Sequence, residues 1–270
     1  MGEVTNRAGR AGQQVDNSEW FDKAVKIGLV AYGIVHLLVG WLALQLAFGE
    51  REGKASSQGA MQQLAETSVG TPLLWIVGLG LFALVLWKLL DAAFGHQEED
   101  GGKLWAKRAM DVFKAILYGA IGISAIRTAT GSGGGGGGTD STTKKIMDLP
   151  GGQILVVIVG LAVIVYGANY IRQAFNEKFR EKIAATGKGD AYVYFGKAGY
   201  VAKGIAVGII GILFAYAGVT HEAKKSGGLD QALQEVLDAP GGPVVLVLIA
   251  LGIICYGLFQ FARAAHHTGK

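Results

Sequence analysis

Cysteine, proline and charge are all scarce in this 270-residue chain. The single Cys255 cannot close an intrachain disulfide, so it reports nothing about redox compartment. Four prolines, and no triplet period among 43 glycines, exclude a collagen-like fibre. Only 17% of residues are charged, where an ordinary soluble domain has about 25%. With 51% hydrophobic residues and a mean hydropathy of +0.36, the composition is that of a membrane protein. Glycine suits that class, because bilayer helices tolerate it and pack closely along it.

Catalytic signatures are also missing. There is no His-Glu-x-x-His, no Cys-x-x-Cys, no Gly-x-Ser-x-Gly and no carboxylate pair within the apolar runs. The glycine run 131–138 is not preceded by a strand or followed by Gly-Lys-Ser/Thr, so it reads as a flexible linker rather than a phosphate loop. Gly187-Lys188-Gly189 lacks the upstream glycine of a nucleotide-binding loop. No catalytic residue, metal ligand set or cofactor is therefore expected, and an enzyme is disfavoured. The net charge of +4 needs no nucleic-acid partner to explain it.

What is present is length in apolar runs. Six stretches, Ile27–Phe48, Pro72–Phe94, Val112–Thr130, Gln153–Ile171, Gly199–Val219 and Pro243–Ala262, approach the ~20 residues that cross about 30 Å of hydrocarbon. The third has the weakest pattern, since Asp111 and Lys114 crowd its start and Arg127 its end. The first 26 residues are polar and lead into a full-length span with no small-residue cleavage site, so no cleaved signal peptide is expected. Of the 25 Lys and Arg residues, 18 fall in the termini, in the second and fourth connections, or at Lys114 beside the second. By the positive-inside rule both termini are cytoplasmic, which agrees with an even number of spans in the plasma membrane.

The spans repeat. Residues 31–40 read AYGIVHLLVG and residues 202–211 read AKGIAVGIIG, so Gly33 falls on Gly204 and Gly40 on Gly211. Across the first, third and fifth spans, positions 28/110/199, 33/115/204 and 40/122/211 read Gly/Met/Gly, Gly/Ala/Gly and Gly/Gly/Gly. Asp148-Leu-Pro-Gly-Gly152 matches Asp238-Ala-Pro-Gly-Gly242, Tyr166-Gly167 matches Tyr256-Gly257, and Pro72 falls on Pro243. The predicted fold class is an all-α integral membrane protein. Its six transmembrane helices form three tandem helical hairpins in a parallel, pseudo-threefold repeat. A polar segment, 1–20, precedes repeats at 21–95, 104–179 and 192–267.

On these residues the chain resembles the domain-of-unknown-function 1206 family, found mainly in bacteria and especially actinobacteria. The resemblance covers about 20–267; it departs in the longer third connection and in Val85-Leu86, where a Tyr-Gly would stand. It implies the three-hairpin architecture and no particular reaction.

Function must then be read from individual positions. Gly28, Gly33, Gly40, Gly122, Gly204, Gly208 and Gly211 are read as helix-packing residues. His36 shares a face with Gly33 and Gly40 near mid-span, where Tyr118 and Val207 stand in the other repeats. It is either a neutral packing residue, hydrogen-bonded to Tyr118 or a backbone carbonyl, or a proton relay or ligand contact. Metal or haem ligation has no second mid-span His or Cys pair to support it. Lys114 and Lys203 share one repeat position, about a turn inside the cytoplasmic end of each helix. They either snorkel to the headgroups or close a basic ring on an anion. Lys88 and Asp91 stand three apart and can pair.

In the fourth connection Phe175, Phe179 and Ile183 recur among Lys178, Arg180 and Lys182, as in a helix lying on an anionic inner leaflet. Short helices are predicted at Gln58–Glu66 and Leu229–Leu237. The leading expectation is a structural, interaction or lipid-binding scaffold, with membrane lipids and an unidentified membrane protein as partners. The alternative is a small transporter or channel using His36, Tyr118, Lys114 and Lys203.

Overall fold

The computed structural model describes residues 19–49, 55–68, 70–96, 99–132, 139–176 and 190–266. Among them there is no strand. The long helices are α1 (Glu19–Ala47), α3 (Gly70–Phe94), α4 (Gly101–Ala129), α6 (Gly152–Phe175), α7 (Asp190–Thr220) and α9 (Gly242–Ala265). Short helices α2 (Ser57–Ala65), α5 (Thr139–Met147) and α8 (Leu229–Asp238) precede α3, α6 and α9. Among the described residues, six helices are long and apolar enough to cross a bilayer. The fold is all-α, built of three tandem hairpins, α1/α3, α4/α6 and α7/α9.

Helix starts differ from the apolar runs, because backbone hydrogen bonding continues into polar sequence that hydropathy does not count. Helix α4 begins at Gly101 and α7 at Asp190, so Lys114 and Lys203 each lie thirteen residues inside their helices. The expectation of one turn is corrected to more than three. Helix α5 was not foreseen, since TDSTTKKIM has little apolar signal. Helices α2 and α8 fall where short helices were predicted.

The Pro-Gly-Gly starts have a steric cause. Gly151 and Gly241 have φ of 76° and 74°, a region costly for any residue with a Cβ. The glycine that follows, Gly152 or Gly242, lets the new helix press against a carbonyl of the preceding short helix, Ile146 or Leu237. Pro72 and Pro243 lie in the first turns of α3 and α9, where a missing N–H costs nothing.

The chain forms two compact units. The first comprises residues 1–33, 64–133 and 260–270. In it α3 packs on α4, and Gly28 of α1 meets the backbone of Gly80 on α3. The second comprises residues 34–63 and 134–259. There α6 and α7 run antiparallel with two glycine pairs seven residues apart, Gly167 with Gly204 and Gly160 with Gly211. A Cβ on Gly204 would stand 2.7 Å from the Gly167 oxygen, and one on Gly211 2.8 Å from the Gly160 oxygen. Gly40 gives similar access to α9, where a Cβ would meet the Ala250 oxygen at 3.0 Å. In lipid such backbone approach supplies the dispersion contact that hydrophobic burial cannot.

Candidate functional site

Among the described residues, each unit holds a polar constellation between its apolar helices. In the second unit, Lys203 on α7 reaches His36 on α1, with Nζ 3.0 Å from Nε2. The ammonium also stands over the Tyr256 ring, 4.0 Å from its centroid, and 5.4 Å from that of Tyr170. The His36 ring lies 4.9 Å from Tyr256. Tyr200 joins the cluster at 5.4 Å from Tyr170 and 5.5 Å from Tyr256, while the Tyr166 and Tyr170 hydroxyls are 3.0 Å apart. All four tyrosines are buried.

This geometry has a defined proton logic. With Lys203 charged, its ammonium donates to Nε2, which must then carry the lone pair and leave the imidazole proton on Nδ1. The negative ring faces of Tyr256 and Tyr170 stabilise that cation at low dielectric. Protonating His36 would set two cations 3.0 Å apart, a repulsion that an anion would relieve.

In the first unit the centre is Asp111 on α4, only 4% exposed. Its Oδ2 lies 2.6 Å from His96 Nε2, and its Oδ1 3.3 Å from Lys114 Nζ and 3.6 Å from Lys88 Nζ. Lys88 also holds Asp91 at 2.5 Å, forming the expected pair, and stacks over Trp87 at 4.1 Å. His96, in the connection between α3 and α4, adopts φ of 62°, left-handed backbone that is unusual for a side chain of this size. Asp91, near the end of the second apolar run, and Asp111, just before the third, share Lys88. Among the described residues, no three His, Cys, Asp or Glu side chains converge as a metal site requires.

Family comparison fits this geometry into a repeat. Segments 27–95, 112–177 and 198–267 each match the model described as Domain of Unknown Function (DUF1206). The chain belongs to that family. It is also 28% identical over 258 residues to "Uncharacterized protein YxxB" of Bacillus subtilis (strain 168), with 93% of each chain covered. No solved structure matches it significantly.

Aligning the three DUF1206 repeats shows how the sites arise. The position of Lys203 is held by Tyr32 and Lys114, and that of His36 by Tyr118 and Val207. Tyr32 of repeat 1 meets Tyr118 of repeat 2 edge-on at 4.9 Å. Lys203 of repeat 3 meets His36 of repeat 1 through the same two positions. Lys114 would need Val207, which offers no acceptor, and binds Asp111 instead. Asp111 itself occupies a position filled by Leu29 and Tyr200 in the other DUF1206 repeats, both buried. A carboxylate at a position where the other repeats carry Leu and Tyr is the signal that the sequence holds.

The remaining expected residues divide. Gly33 and Gly122 are buried, and a Cβ on Gly122 would meet only ordinary contacts, from 3.4 Å. A Cβ on Gly208 would meet nothing within 4 Å, although the Gly208 backbone is what a side chain on Gly167 would strike. Phe175 ends α6 and is exposed, with Lys197 Nζ 5.9 Å from its ring. Lys178, Phe179, Arg180, Lys182 and Ile183 lie outside the described residues.

Proposed function

We propose that this multi-pass membrane protein is a small plasma-membrane transporter or channel for an anionic solute, with Lys203 and His36 as its binding pair. The observation that carries this reading is the 3.0 Å contact between two basic side chains far inside their helices. An ionisable group at such depth is costly unless it serves the traffic of charge. Packing alone does not demand it, since Tyr32 and Tyr118 join the same repeat positions with a neutral aromatic pair. Cytoplasmic termini are supported by the basic residues crowding the second and fourth connections and both chain ends.

A lipid-binding or partner-binding scaffold is the second reading. The glycine contacts between α6 and α7 favour it, because a bundle held backbone to backbone leaves little room to move. Cysteine access separates the two. Cys255→Ala and His36→Cys are combined and exposed in cells to a membrane-impermeant thiol reagent, with Ser132→Cys as a control. Labelling at 36 that a transported anion slows supports the transporter. A silent position 36 beside a reactive control supports the scaffold.

A further inference from the structure

Helices α7 and α9 leave a groove of about 520 Å³ on the second unit, lined by Lys197, Ala198, Ala202, Leu248, Gly252 and Cys255, among others. That volume is within the range of specific ligand sites, about 300–1,000 Å³. Small residues make its floor. Gly252 and Ala202 bring the two helices into close contact, while Leu248 and Leu251 stand 64% and 47% exposed as rims. The groove spans Val245 to Cys255 along α9, ten residues or about 15 Å of helix. That is about half of the ~30 Å hydrocarbon core, the depth reached by acyl chains of one leaflet. Lys197, seven residues into α7, stands at one end, and the remaining lining side chains are apolar apart from the Cys255 thiol.

We propose that this groove is a specific site for an anionic phospholipid. The acyl chain lies along Ala198, Ala202 and Gly252, and the phosphate is bound by Lys197. A free phosphate would leave the apolar length unused, and a neutral lipid would leave the ammonium only the Phe175 ring, 5.9 Å away, and no anionic partner in the groove. The site rests only on the chain spanning a membrane, so it stands apart from the Lys203–His36 reading.

Cys255 lines the groove and is the only cysteine in the chain, so it reports occupancy without mutation. The full chain is reconstituted in phosphatidylcholine vesicles, with and without phosphatidylglycerol, and Cys255 is alkylated with uncharged N-ethylmaleimide. Phosphatidylglycerol should slow alkylation about fivefold, the order expected for one lysine engaging an anionic headgroup. Lys197→Gln should abolish the slowing and Lys197→Arg should keep it, while inorganic phosphate should not reproduce it. Native mass spectrometry should find one phosphatidylglycerol retained by the wild type and none by Lys197→Gln. Equal rates in both vesicles would overturn the site, as would protection that persists in Lys197→Gln. If Lys197→Gln does not fold, the vesicle comparison on the wild type, with Lys197→Arg, still decides.

Discussion

Lys203 Nζ meets His36 Nε2 across 167 residues of sequence, at the same two repeat positions where Tyr32 meets Tyr118. The aromatic pair is therefore a natural replacement for the basic one. Converting Lys203→Tyr together with His36→Tyr should keep thermal stability in detergent within about 1 kcal/mol, since an aromatic pair contributes on the order of 0.5–1.5 kcal/mol. Anion flux into proteoliposomes should be lost. Retained flux in a well-folded double variant would remove the pair from the proposed pathway.

Two glycines on one helix give opposite expectations. Gly211→Ala places a Cβ 2.7 Å from the Ile164 nitrogen and 2.8 Å from the Gly160 oxygen, so α6 and α7 must part. The cost should be about 1–3 kcal/mol, as for other overpacked sites. Gly208→Ala meets open space and should be neutral, or stabilising by up to ~1 kcal/mol from helix propensity. Thermal unfolding of the two variants side by side decides; equal losses would refute the interface.

Asp111 holds His96, Lys88 and Lys114 together. Asp111→Leu copies the Leu29 position in shape but removes the buried carboxylate that Lys88 and Lys114 share, and should cost about 3–5 kcal/mol. Asp111→Asn keeps an acceptor for His96 and should lose less, about 1–3 kcal/mol. Adding Lys88→Met to Asp111→Leu should recover part of the loss. An Asp111→Leu chain as stable as wild type would show that the cluster contributes nothing to the fold.

The connection between α3 and α4 is also tied by Glu99, whose carboxylate accepts from Lys107 Nζ at 2.6 Å. That hydrogen bond, with the Lys107 charge, holds the Glu99 carboxyl below its ordinary value of 4.5. A lowered acid stabilises the folded form fully above its unfolded value and loses that contribution as pH falls through the folded one. Amide exchange at residues 99 and 100 should accordingly quicken as pH drops below about 4.5, after correction for intrinsic rates. In Glu99→Gln it should be quick throughout; a pH-independent wild type would contradict the tie.

Much of the architecture was legible without coordinates. Six apolar runs appeared because spanning length is a one-dimensional property, and three repeats appeared because Gly33/Gly204 and Pro150/Pro240 align by simple offset. His36 and Lys203 were both visible as unusual positions, but not as partners. Asp111 and His96 were not singled out as a pair at all. His96 acts from a connection rather than a span, and only the turn after α3 carries it back to α4.

The sequence alone determined how many helices cross, where each repeat begins and which positions break the repeat. Hydropathy and periodicity are summed along the chain, so they survive without knowledge of neighbours. Only the tertiary structure decided that Lys203 faces His36, that Lys114 turns to Asp111, and that Gly208 faces open space while Gly211 touches Gly160. Those outcomes depend on the rotation of each helix about its axis, fixed by the glycine contacts between helices and written in no single segment.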